Sequence, residues 1–130
     1  MAPGDAPDMN IYSATPASNT ALVAADYSTG GTTAYATALT YASITTSAYN
    51  DFTLNATGLG AIDKTGITKF CGRNANYDVA GVAPANHDQN RTSRRVIVST
   101  ADAAGTGQDP KLVVTHTPVG SARKQRIIMF

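Results

Sequence analysis

The sequence has no glutamate and no tryptophan, and its single cysteine is Cys71. All nine acidic residues are therefore aspartate. Without glutamate, and with little lysine or glutamine, the residues that usually build long amphipathic helices are missing. A glycosidase normally places two carboxylates across a cleft, commonly with a glutamate among them. The aspartates here fall mostly at turn positions, which accounts for them without chemistry. One cysteine excludes an intrachain disulfide and a multi-cysteine zinc site. Set in an apolar strand, it reads as a buried thiol and not as a nucleophile. Tryptophan would be the strongest stacking residue for a sugar, and its absence leaves that role to tyrosine. No apolar run approaches the ~20 residues that cross a bilayer, so no membrane span is expected. Met1-Ala-Pro-Gly-Asp5 also lacks the basic-then-apolar order of a signal peptide.

What remains is rich in Thr, Ser, Ala, Asn and Gly. The length of 130 residues suits one domain with a core of its own. Thr, Val, Ile and Tyr favour strands, and Asp, Asn and Gly favour turns, so the class expected is all-β. The net charge of +1 gives no general reason to expect a nucleic-acid partner. That charge is uneven: five aspartates and no Lys or Arg precede Lys64, while Arg123, Lys124 and Arg126 cluster near the end.

Taken in order, residues 1–8 form a Pro-, Gly- and Asp-rich lead, read as disordered. Met9-Asn-Ile-Tyr-Ser13 alternates as a strand. Residues 21–25 read as a helical turn or an edge segment, and Ser28-Thr-Gly-Gly-Thr32 as a flexible loop. Residues 33–49 alternate again, with Tyr35, Thr37, Leu39 and Tyr41 on one face, and are expected to form two strands. Residues 56–63 are the only helix-like interval, a turn or two with Leu59 and Ile62 at spacing three. Residues 67–73 read as a strand, 74–91 as a long irregular loop, and 95–100 and 112–117 as strands buried on both faces. The turn at Gly105, Gly107 and Asp109-Pro110 sets up the last of these. The expected core is Phe52, Leu54, Ile67, Phe70, residues 96–98 and residues 112–114. Residues 9–117 form the domain, and 118–130 a tail that is basic and then apolar.

Four pieces succeed one another in an order that resembles a known family: Thr15-Pro-Ala-Ser-Asn-Thr20, Tyr49-Asn-Asp-Phe-Thr-Leu-Asn55, Ile62-Asp-Lys-Thr-Gly-Ile-Thr-Lys-Phe70 and Ala101-Asp-Ala-Ala-Gly-Thr-Gly-Gln-Asp-Pro-Lys-Leu-Val-Val-Thr115. They are similar to the later portion of the jelly-roll domains called DNRLRE-type, which resemble carbohydrate-binding modules. The most specific part is Asp109-Pro-Lys-Leu-Val-Val114. The name-giving pattern has only a loose echo in Asp88-Gln-Asn-Arg91, so no site residue carries over through it. The resemblance implies an antiparallel jelly-roll-like β-sandwich with one short helical turn, lacking the strands that usually open the domain. It further implies a virion (phage tail or fibre) or secreted, extracellular setting. A fragment, a natural short form, or an edge supplied by another chain would each account for the missing strands.

The function expected is that of a non-catalytic structural or adhesive domain that self-associates as a homo-oligomer or receives a sheet edge from a neighbouring chain. The alternative is a carbohydrate-binding module of a larger extracellular enzyme. No cofactor and no metal are expected: His87-Asp88, with Asp78 nearby, lacks the ligand spacing of a calcium loop. For a glycan, Tyr77 within Arg73-Asn-Ala-Asn-Tyr-Asp78 has the best company, making Tyr77, Arg73, Asn74, Asn76 and Asp78 the candidate contacts. For partner docking, the candidates are Arg123, Lys124, Arg126, Ile127, Ile128 and Phe130 in the tail.

Overall fold

The computed structural model describes residues 6–84, 95–99, 104, 107 and 109–115. The chain divides into two units, Met1–Val98 and Ser99–Phe130. Within the first lies a three-stranded antiparallel sheet: β1 (Met9–Ala14) in the centre, β2 (Gly30–Ala34) on one side and β3 (Phe70–Asn74) on the other. The class read from composition is correct at this level: a small β-rich domain with short helical pieces.

The alternation of residues 9–13 makes β1 as expected. β1 and β3 pair in continuous register, with Met9 opposite Asn74, Ile11 opposite Gly72 and Ser13 opposite Phe70. One face of the sheet carries Asn10, Tyr12, Cys71 and Arg73, and the other carries Met9, Ile11, Ser13, Phe70 and Asn74. The pairing of β1 with β2 is irregular. Tyr12 faces Ala34 and Ala14 faces Gly30, so three residues of β2 oppose Ser13 alone. Such a bulge is tolerated here because Gly31 is among the residues that occupy it. A side chain on Gly31 would run into the Ser13 hydroxyl.

This differs from the loop expected at residues 28–32. Ser28 and Thr29 end a six-residue 3-10 turn (Ala24–Thr29), and both glycines open β2. Asp26 builds the turn by accepting the N–H groups of Val23 (2.9 Å) and Ala17 (3.1 Å). Beyond β2 the two strands expected at residues 33–49 do not form. Isolated bridges tie Leu39 to Met9 and Ala36 to Leu54, and Tyr41–Ser43 is a single 3-10 turn. The alanine-rich face of this stretch has little to bury, which leaves it as coil laid along β1.

The helix-like interval is α1 (Ala56–Gly60). Asn55 caps it, its Oδ1 accepting the Gly58 N–H at 2.9 Å while its Nδ2 donates to the Ala34 carbonyl at 3.1 Å. Gly58 is buried against the Tyr35 backbone, with room for no side chain: a Cβ there would lie 2.6 Å from the Tyr35 carbonyl oxygen. Tyr35 in turn meets Phe70 edge to face at 5.7 Å.

The core is small and lies elsewhere than expected. Among the described residues, those buried with apolar bodies are Tyr12 and Ala36, joined by the buried polar Asn10. Asn10 is satisfied: its Nδ2 donates to the Ala36 carbonyl at 2.9 Å and its Oδ1 accepts the Ile11 N–H. Phe52, Leu54 and Phe70 are half-buried, as is Val96. Ile67 stands outside β3 and is exposed. Ile97, Val98, Leu112, Val113 and Val114 are exposed too, and residues 95–99 and 111–115 belong to no strand. Their β-branched composition fits a strand with both faces covered, but composition supplies neither a neighbouring strand nor a cover. The described residues of the second unit form neither helix nor strand.

Residues 6–8, grouped with the lead on composition, are held in place. Ala6 accepts from Asn76, and Asp8 both donates to Asn76 and accepts the Tyr41 N–H. His87, Asp88, His116, Thr117 and the whole tail, including Arg123, Lys124, Arg126, Ile127, Ile128 and Phe130, lie outside the described residues.

Candidate functional site

The polar cluster singled out in the sequence folds as one unit at the end of β3. Asn74 ends the strand and caps a single turn of π-helix (Ala75–Val79), where an irregular loop was expected. Its Oδ1 accepts the N–H groups of Asn76 (3.1 Å) and Tyr77 (3.0 Å), the local bonding that lets asparagine start a turn. Val82 N–H then reaches back to the Tyr77 carbonyl at 3.0 Å, and Gly81 takes a positive φ of 64° to reverse the chain.

Arg73 organises the charge. Its Nε and Nη2 form a fork on the Asp78 carboxylate at 2.8 and 2.9 Å. Its Nη1 donates at 2.9 Å to each of the Gly30 and Gly31 carbonyls on the far strand. The side chain thus crosses β1 on the face that carries Tyr12. It can do so because Gly30 has no Cβ: one there would sit 3.0 Å from Arg73 Cδ and 3.3 Å from Cys71 Sγ. The guanidinium holds the Asp78 carboxyl below its usual range. Beneath it, burial raises both the Tyr12 phenol and the Cys71 thiol, so both stay protonated at neutral pH. Cys71 donates to the Ser13 carbonyl at 3.2 Å.

The structure therefore brings Arg73, Asn74, Asn76, Tyr77 and Asp78 together, as the sequence reading placed them, and shows how their polar atoms are engaged. Four of the five guanidinium hydrogens are used, both Asp78 oxygens accept from Arg73, and Asn76 bonds to residues 6 and 8 through both ends of its amide. Tyr77 is half-buried in the turn. The cluster is primarily a clamp joining β3, β2 and residues 6–8.

A well-displayed aromatic is Tyr27, 87% exposed in the turn before β2, whose first two carbonyls Arg73 holds. Leu22 and Val23 stand exposed on the same connection. That connection is braced by Asp26, by Ser18 bonded to the N–H groups of Thr20 and Ala21, and by Lys69, whose amine reaches the Pro16 carbonyl at 2.8 Å. Tyr27 was one tyrosine among six in the sequence. The available signal was its place, together with Leu22 and Val23, in a stretch between turn formers with no alternation to bury it.

Among the described residues no three His, Cys or Asp side chains gather as a metal site, and no helix is long and apolar enough to cross a membrane. No family model matches this chain, and neither does any curated protein or any solved structure.

Proposed function

We propose that this chain is a non-catalytic structural or adhesive domain of a surface assembly, virion or secreted, which works by associating with copies of itself. The observation that carries this reading is the imbalance between a very small core and the apolar side chains outside it. Among the described residues, Tyr12 and Ala36 alone form the buried apolar core, whereas Leu22, Val23, Ile97, Val98 and residues 112–114 are exposed by 60% or more. Scattered exposed apolar residues are ordinary, but aliphatic runs of strand composition left in water are a signature of surfaces that another chain covers. The resemblance to later portions of jelly-roll domains supports the same reading, with residues 95–99 and 112–115 completing a sandwich in the assembled state. The ionisable groups of the clamp are bonded to one another, which favours architecture over catalysis.

A second reading, a carbohydrate-binding module, has one observation in its favour. Tyr27 offers an exposed ring in the turn that leads into β2, the strand whose Gly30 and Gly31 carbonyls Arg73 holds, and an exposed ring near fixed polar groups is the combination sugars use. Light scattering and a glycan array separate the two. Defined oligomers with no glycan signal support the structural role. Monomers with specific glycan binding that is lost in Tyr27→Ala support the module.

A further inference from the structure

We infer that the outer edge of β3 is an acceptor for a donated strand, and that the donor is the segment Lys111-Leu-Val-Val-Thr115 of a second copy of this chain, exchanged reciprocally. This rests on the self-association proposed above and names the elements that carry it.

The acceptor follows from the hydrogen-bond phase of the ladder. Ala75 N–H bonds to the Asp8 carbonyl and Ala14 N–H to the Lys69 carbonyl, so residues 69, 71, 73 and 75 of the β3 side point their backbone groups at β1. The N–H and C=O groups of Phe70 and Gly72, and the N–H of Asn74, consequently point away from the sheet. Among the described residues they have no partner. β3 also lacks the devices that blunt an edge: it has no proline, its ladder with β1 is unbulged, and its one charge, Arg73, is neutralised by Asp78 and turned across β1.

The donor follows from residues 112–114. Leu112, Val113 and Val114 are 74%, 76% and 62% exposed, belong to no strand, and have the composition of a strand covered on both faces. In antiparallel register with Val113 opposite Gly72, Thr115 meets Phe70 and Lys111 meets Asn74, so no like charges oppose each other. Val113 then fills the gap over Gly72, where a Cβ would find only the Met9 methyl within 4 Å. Burying three such aliphatic side chains removes about 300 Å² from water. Counted on donor and acceptor of both copies, a reciprocal exchange covers about 1,200 Å², the lower end for a specific stable complex. A one-way exchange covers half of that, which is why the partner is a second copy engaged twice.

The test is disulfide trapping on the full chain with Cys71→Ser as background. Residues facing each other in a bonded antiparallel pair lie about 5.5 Å apart at Cα, within disulfide reach. Chains carrying Gly72→Cys are mixed with chains carrying Val113→Cys and oxidised. Strand exchange gives a covalent mixed dimer that neither variant forms alone. Chains that dimerise by light scattering yet give no mixed dimer overturn the exchange and leave the broader self-association standing. Chains that are monomeric throughout overturn both. Should Gly72→Cys fail to fold, Val113→Pro decides: an unchanged sheet signal in circular dichroism with at least tenfold weaker dimerisation upholds the exchange, and undiminished dimerisation overturns it.

Discussion

Arg73 and Asp78 meet through two parallel hydrogen bonds of 2.8 and 2.9 Å, while the third guanidinium nitrogen bonds two successive carbonyls on a strand two places away. One side chain thus ties together β3, the bulge of β2 and the turn that follows β3. Lysine, a point charge on a flexible stem, cannot reproduce that fork. Arg73→Lys is expected to lower stability by about 1–2 kcal/mol, chiefly through the abandoned Gly30 and Gly31 carbonyls. Urea denaturation followed by far-ultraviolet circular dichroism measures it.

The same pair sets a pH dependence. Arg73 depresses the Asp78 pKa, so its contribution is present above the unfolded carboxylate value of about 3.9 and fades as pH falls through the folded value. Asp26, held by the Val23 and Ala17 N–H groups, and Asp63, held by Thr65 and Gly66, are depressed as well and act in the same direction. Stability is expected to drop on acidification below about pH 4, and Asp78→Asn is expected to flatten part of that slope. Thermal melts of both proteins between neutral and acid pH check it.

Gly58 and Gly60 sit in the same short helix and predict opposite outcomes. A Cβ at Gly58 meets the Tyr35 backbone, which cannot yield as a flexible side chain would; a Cβ at Gly60 meets nothing within 4 Å. Gly58→Ala is expected to destabilise by about 1–3 kcal/mol or to shift α1 off β2 and its extension. Gly60→Ala is expected to be neutral or to stabilise by about 0.5–1 kcal/mol through helix propensity. Parallel denaturation curves of the two variants decide it.

Asn10 is the buried polar anchor of β1. Asn10→Leu removes the donor to the Ala36 carbonyl and leaves that group unsatisfied, at an expected cost of about 1–3 kcal/mol despite the larger apolar side chain. Tyr27→Ala, at an exposed position, is expected to change stability by less than about 0.5 kcal/mol. The contrast between the two, read in one denaturation series, separates the structural anchor from the displayed ring.

Much of the local structure was legible in the sequence, and the reasons differ by element. The alternation of Met9-Asn-Ile-Tyr-Ser13 marked β1, and Leu59 and Ile62 at spacing three marked the interval that holds α1. β3 was legible from residues 67–73, though Ile67 falls outside it. β2 was not, because Gly30 and Gly31 read as a loop despite the strand-favouring Thr32 and Thr33; its place is set by Arg73 reaching over β1 and by the absence of side chains that would block it. Residues 95–99 and 112–115 show the reverse case, where strand composition alone did not make strands in the single chain. At the candidate site, residue types identified the cluster of Arg73, Asn74, Asn76, Tyr77 and Asp78. They could not show that most of its polar atoms bond inward, since polarity does not carry direction.

Whether copies of this chain associate is decided by sedimentation equilibrium of the full chain, run over a wide concentration range at neutral pH. Self-association through uncovered apolar segments predicts a mass at a whole-number multiple of the single chain, with dissociation on dilution. A single chain mass at every concentration, together with one cooperative unfolding transition, would rule it out.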